Sequence, residues 1–168
     1  MRFTPASLAL SLSFALTASV LYSAPSTALD PRAAALMTQG RAALASGNAD
    51  GAVDNFEAAL AVNPGNVGIM LALAEAARRQ GMQGKAIHYY RQTLVIDPQN
   101  LDAMAGEGQA LVERGAVEKA KKDLARLQGL CGSSCAQAKL LADAIAKGPA
   151  PKVVSAEDVK PKPTVSAN

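Results

Sequence analysis

Cys131, Cys135 and His88 are the side chains in this 168-residue sequence whose types most readily support chemistry. The cysteines form a C-x3-C pair, which lacks both the C-x-x-C spacing of thioredoxin-like redox sites and the C-x-x-C-H of haem attachment. Two thiols alone do not close a tetrahedral zinc site, and His88 is far away in the chain, so no metal or other cofactor is expected. Two readings of the pair stay open. In an oxidising compartment the default is a structural disulfide, which across so short a loop contributes about 2 kcal/mol. The other is a redox-active pair. A catalytic histidine needs a nucleophile or carboxylate held against it. His88 has Tyr89 and Tyr90 beside it, and nothing in the sequence fixes Asp54 to it, so it reads as an ordinary outer-face residue. Glycine-rich phosphate loops, H-E-x-x-H and G-x-S-x-G are absent. No catalytic residue is assigned, and no enzyme is expected.

The compartment follows from residues 1–28, which read as a secretory signal peptide. Arg2 supplies the positive start, Leu8 to Leu21 the apolar run, and Ser26-Thr27-Ala28 a small-residue cleavage site. The apolar run is about 14 residues, short of the ~20 a membrane span needs. Pro25 breaks any continuation, and no nearby cysteine could take a lipoprotein anchor. Retention as an uncleaved anchor is the alternative; after cleavage no membrane contact is expected. Hydrophobic residues make up 49% of the chain but aromatics only 4%, and Phe3, Phe14 and Tyr22 fall in the leader. That leaves Phe56, Tyr89 and Tyr90 with no tryptophan, a thin core of alanine and leucine that suits paired helices. The formal charge of +3 is spread over the leader, the body and the lysines Lys152, Lys160 and Lys162. No basic stripe remains on the body, so nucleic acid is not an expected partner.

The elements that must position these residues are marked by their ends. Asp30-Pro31 suits a helix start, and a helix-forming run follows to Ser46. Gly47-Asn48 supplies a left-handed stop and a new cap. Ala49 to Val62 returns with Val53, Phe56, Ala59 and Leu60 at helical spacing, and Pro64 stops it. Asn66 caps a third helix with Met70, Leu73, Ala74 and Ala77 buried. Gly81 turns the chain into Lys85 to Ile96, with Ala86, Tyr90 and Thr93 inward, and Pro98 ends it. Asn100 caps Leu101 to Arg114, and Gly115 turns into a sixth helix, Val117 to Leu127, with Ala120 and Leu124 inward. A seventh helix over 135–147, capped by Ser133 or Ser134, carries an apolar row of Leu140, Leu141, Ala144 and Ile145. It is expected to cover the open end of a helical stack. Connections of two to five residues make successive helices antiparallel. The Pro- and Lys-rich residues 148–168 read as a solvated, disordered tail.

The pattern repeats every 34 residues, over 33–66, 67–100 and 101–134. Each unit holds an alanine in its return helix (Ala52, Ala86, Ala120) followed by Phe56, Tyr90 or Leu124. A small residue lies in each first helix (Gly40, Ala74, Gly108), and Pro64 and Pro98 close the first two units, with Gly132 in the third. This resembles the tetratricopeptide repeat, with its 34-residue period and A-x3-F…P pattern. The sequence departs from it where the tryptophan position holds Leu36, Met70 and Met104, and where the first-helix tyrosine holds Ala43, Ala77 and Leu111. The resemblance implies an all-α solenoid of antiparallel helix pairs, about three repeats over 30–147 with a C-terminal capping helix. It also implies a concave groove lined by the first helices. The matching positions are Met37, Arg41 and Leu44; Leu71, Glu75, Arg78 and Arg79; and Gln109, Val112 and Glu113. The Lys and Asn with which some relatives clamp a peptide C-terminus are replaced by Met37 and Arg41, Leu71 and Glu75, and Ala105 and Gln109. A mixed groove with Arg41, Arg78 and Arg79 suits an acidic or amphipathic segment.

The sequence thus implies a small exported bacterial protein. Its expected role is a non-catalytic interaction module of the cell envelope, in the periplasm of a Gram-negative bacterium, with another protein or a peptide segment in its groove. A stoichiometric accessory subunit of an envelope complex is the alternative. A thiol-redox or chaperone role through Cys131 and Cys135 comes third.

Overall fold

Residues 29–149 are described in a computed structural model; the leader assigned to 1–28 and the tail from 150 onward lie outside the described residues. Seven helices follow one another: α1 Pro31–Ala45, α2 Ala49–Val62, α3 Val67–Arg79, α4 Gln83–Ile96, α5 Leu101–Glu113, α6 Val117–Cys131 and α7 Ala136–Lys147. There is no strand among the described residues. The starts of α1, α2, α3 and α5 use short polar side chains for the backbone N–H groups that no helical turn satisfies. Asp30 accepts from the Arg32 N–H at 2.7 Å, with Pro31 behind it in the first turn. Asn48, Asn66 and Asn100 accept from Gly51, Ile69 and Ala103 at 2.9, 3.1 and 2.9 Å. Each such cap stabilises its helix by about 1 kcal/mol.

The first helix of every pair ends in the same turn. Gly47, Gly81 and Gly115 have φ of 83°, 74° and 89°, a left-handed conformation that glycine adopts without steric penalty. The following N–H then reaches back: Asn48 to Ala43, Met82 to Ala77 and Ala116 to Leu111, at 2.9, 2.9 and 2.7 Å. That bond closes a Schellman turn and starts the antiparallel return helix. At the other edge, α2 and α4 end at Val62 and Ile96, just ahead of Pro64 and Pro98, where proline disfavours the helical conformation of the residue before it.

The hairpins stack in register. Within pairs α1 packs on α2, α3 on α4 and α5 on α6, while α3 also touches α1 and α5. Ala52, Ala86 and Ala120, on the return helices, are fully buried. Phe56 lies over Gly40 of its own repeat, where an added Cβ would come within 2.6 Å of the ring, so it fills space inside the pair. Tyr90 lies instead against Gly106 of the following repeat, its hydroxyl 2.6 Å from where a Cβ would stand. One apolar cluster unites α1, α2 and the first side of α3; a second runs from α3 through α7.

The last third departs from expectation in local ways. α6 continues past Leu127 to Cys131, because the stop is Gly132 with φ 81° and no proline precedes it. Leu127 takes the fully buried place on α6, leaving Leu124 half-buried. Cys135 is the residue ahead of α7, without a side-chain cap bond, so neither Ser133 nor Ser134 caps it. α7 packs on both α5 and α6. Leu141 is fully buried against Gly108, whereas Leu140 is 57% exposed and does not belong to the buried row.

Candidate functional site: the concave groove

The first helices α1, α3 and α5 lie side by side, and α7 continues their row. Their small residues open a recess of ≈ 380 Å³ over Gly68, Ala72, Ala105 and Gly106, with Leu71 and Leu140 as its larger apolar groups. Arg41, Glu75 and Gln109 line it from equivalent positions in the three repeats, and Tyr90 reaches it from behind α5. Gln137 closes one wall, donating to Asp102 Oδ1 at 2.9 Å. That bond joins the starts of α5 and α7 and shows the two helices running parallel.

The sequence-assigned groove residues divide into three groups. Arg41, Leu71, Glu75 and Gln109 face the recess. Arg78, Arg79 and Glu113 lie with Glu75 around an adjoining hollow of ≈ 610 Å³. Met37 and Val112, each 2% exposed, turn into the core and present no surface to a ligand, while Leu44 is half-buried against the α1–α3 cluster. Leu140, Gln137, Asp102 and Tyr90 were not assigned to the site from sequence. The signal for two of them was the period itself. Leu140 lies one repeat beyond Gly106, and Gln137 one beyond Ala103, so α7 occupies the place of a first helix in a fourth unit.

The groove's cations are largely committed to each other's partners. Arg78 donates from Nε and Nη2 to Glu75 Oε2 at 3.1 and 2.9 Å, and from Nη1 to Glu113 Oε1 at 2.7 Å. Arg79 Nε donates to Glu75 Oε1 at 2.9 Å. Burial alone would lower the Arg78 pKa, but the charge and hydrogen bond of Glu75, with Glu113, hold it above the ordinary arginine value. Burial, followed by the negative charge of Glu75, pushes the Tyr90 hydroxyl up to about 12, so it stays protonated. An anion approaching Arg78 must therefore compete with Glu75. Arg41, exposed on α1, has no ion pair among the described residues.

The other candidates lie apart from the groove. His88 is exposed and meets Tyr89 edge-on, ring centroids 5.7 Å apart. The sulfurs of Cys131 and Cys135 meet, with Cα atoms 5.9 Å apart, inside the span a disulfide bridges. Among the described residues no group of three or more His, Cys, Asp or Glu could hold a metal ion. No helix there is long and apolar enough to cross a membrane.

A sequence model of the tetratricopeptide repeat matches residues 37–100. A curated relative, "Protein CTR9 homolog" of Arabidopsis thaliana, is 34% identical over 73 residues; the match covers 44% of this chain and only 7% of that protein. The Sgt2 tetratricopeptide domain of Aspergillus fumigatus superposes with a TM-score of 0.63 at 25% identity, covering 80% of this chain and 95% of that one. The first such repeat domain of Spaghetti (RPAP3), solved with the HSP90 peptide SRMEEVD, gives 0.62 at 22% identity over 69% and 91% of the two chains. The second domain of human RPAP3, solved with the HSP70 peptide SGPTIEEVD, gives 0.62 at 20% over 68% and 95%. Residues 37–100 thus match the tetratricopeptide repeat in sequence, and the chain shares the stacked helix-pair fold of those solved repeat domains.

Proposed function

We propose that the protein is a non-catalytic interaction module whose concave groove holds a peptide segment of a partner protein. The observation that carries this reading is the open recess over Leu71, Ala105, Gly106 and Leu140, with Arg41 at one side. Solved relatives of the same fold hold the peptides SRMEEVD and SGPTIEEVD, which supports a peptide as the kind of ligand. The chemistry here favours a different peptide from theirs. Glu75 already engages Arg78 and Arg79, and the positions of the clamp residues hold Met37, Arg41, Leu71, Glu75, Ala105 and Gln109. The suitable ligand places aliphatic side chains over the apolar floor and one acidic group opposite Arg41, in the amphipathic manner of groove-bound segments.

The setting in this reading is the periplasm of a Gram-negative bacterium, reached through the leader of residues 1–28, with Cys131 and Cys135 joined as a structural disulfide. Fractionation of cells producing the full chain, with thiol titration of the unreduced protein, tests both; cytosolic retention or two titratable thiols would remove that setting. Affinity capture from the periplasm tests the groove. Arg41→Glu and Leu71→Asp should abolish recovery of the partner, while Val95→Asp should leave it intact.

A second reading is a permanent accessory subunit joined through the outer edge. It is favoured by an uncharged cleft of ≈ 400 Å³ between Leu60, Pro64, Met70, Gln92, Val95 and Ile96. Val95 is 81% and Ile96 54% exposed there. Capture lost in Val95→Asp and retained in Leu71→Asp would favour this reading over the groove.

A further inference from the structure

The return helices carry opposite charge in the first and third repeats. On α2 every ionisable side chain is an acid: Asp50, Asp54 and Glu57, all exposed. On α6 the outer side carries Lys119, Lys122 and Arg126, also exposed. In sequence Glu118 and Asp123 interrupt those cations, and the fold removes the interruption. Asp123 buries its Oδ2, and Glu118 pairs with Lys121 at 2.8 Å. We propose that these two faces bind each other between copies of this chain, α2 of one molecule lying antiparallel on α6 of the next.

The spacing carries the proposal. The acids follow one another by four and then three residues, from 50 to 54 to 57. Counted downward, the bases also follow by four and then three, from 126 to 122 to 119. Laid antiparallel, the rows meet charge for charge: Asp50 with Arg126, Asp54 with Lys122 and Glu57 with Lys119. Each row is about 10 Å long at 1.5 Å per residue, and steps of three and four keep it on one side of its helix. In a parallel arrangement the steps are four against three and fall out of register by one residue.

The charges are available for such a contact. Asp54, Lys119 and Lys122 have no ion pair among the described residues, while Glu57 is shared with Lys85 at 2.8 Å. One Nη group of Arg126 donates to the Pro98 carbonyl at 2.6 Å, which fixes the head without neutralising it. Within one molecule the faces do not meet: α2 and α6 share no contact, and α3, α4 and α5 lie between them. Because the contact joins unlike faces, each copy keeps a free α2 and a free α6 for further copies. It therefore repeats along an open chain unless its rotation closes a ring. Exposed charge pairs set register more than strength, so the association is weak and salt-dependent. It leaves the groove of the first helices open.

The test uses the full chain. In sedimentation velocity at low salt the weight-average sedimentation coefficient should rise with protein concentration. Going from about 0.1 M to about 1 M salt, where the screening length falls from about 10 Å to about 3 Å, should weaken the association by on the order of ten-fold. Asp54→Lys alone and Lys122→Glu alone should each abolish the rise, and the two together in one chain should restore it. Both positions are exposed, and an unchanged circular dichroism spectrum verifies that each variant is folded. Arg41→Glu and Leu71→Asp should leave the association unchanged, which separates it from the groove. Carbodiimide, which joins a carboxylate to an amine with no spacer, should link Asp54 to Lys122 and Glu57 to Lys119 between isotope-labelled and unlabelled copies. A sedimentation coefficient independent of concentration overturns the proposal. So does a double variant that stays dissociated, or a link from Asp50 to Lys119 in place of the one from Glu57.

Discussion

Replacing Leu141 by alanine should destabilise the protein far more than the same change at its neighbour Leu140. Leu141 is fully buried and reaches Gly108, where an added Cβ would come within 2.5 Å of its Cδ2. Truncation removes buried methyl groups and leaves a void against a residue with no side chain to collapse into it. Buried Leu→Ala changes of this kind cost about 2–5 kcal/mol; the bare Gly108 wall puts the expected loss at about 3–4 kcal/mol. For a domain of this size each kcal/mol lowers the melting temperature by about 3–5 °C, so the transition should fall by about 9–20 °C. Leu140 is 57% exposed, and Leu140→Ala should change stability by less than about 0.5 kcal/mol. Gly108→Ala alone should also destabilise, by about 1–3 kcal/mol through overlap with Leu141. In the double variant the new methyl enters the void, and the combined loss should fall short of the sum by at least about 1 kcal/mol. Thermal and urea unfolding followed by far-UV circular dichroism reads all four proteins. Equal losses at positions 140 and 141, or strict additivity of the pair, would refute the docking of α7 on α5.

Asp123 should make stability depend on pH in an unusual direction. Its carboxyl is pushed up to about 6 by burial and then by the charge of Glu107, which pairs with Arg91 at 2.6 Å. A raised acid pKa means that the folded state favours the protonated form. This contribution is fully present below pH 3.8 and lost as pH rises through about 6. Asp123→Asn should therefore stabilise the protein at pH 7.5 by about 1–2 kcal/mol, allowing for screening of a partly exposed side chain, with the gain vanishing near pH 4 in urea titrations at each pH. Among the glycines, Gly40→Ala should lower stability by about 1–3 kcal/mol through overlap with Phe56. Gly84→Ala, in α4 with nothing within 4 Å of the new Cβ, should raise it by about 0.5–1 kcal/mol; a gain at Gly40 in chemical denaturation would show that Phe56 does not occupy that space. Asn66→Ala removes the acceptor for the Ile69 N–H and should cost about 1 kcal/mol, seen as a lower urea midpoint with an unchanged slope.

The hairpins were legible because their causes are local. Glycine at 47, 81 and 115, proline at 64 and 98, and asparagine at 48, 66 and 100 each act on backbone within a few residues. Their recurrence made the stack readable as well, since one hairpin leaves an apolar side that only a copy of itself can cover. The groove was legible in part. Arg41, Leu71, Glu75 and Gln109 face it because the period carries each to the same place on the concave side.

What the sequence by itself determined is the series of helices, their order and the side on which they stack. Tertiary structure decided which of two neighbouring leucines is core. Adjacent helical positions differ by about 100° around the axis, so the crossing of α7 over α5 buries Leu141 and turns Leu140 to the groove. The same holds for Met37 and Val112, drawn inward by how closely their helices approach their neighbours. It also decided the charge of the groove. Arg78 finds Glu113 on the next repeat, a distance that depends on inter-helix spacing and appears in no local pattern.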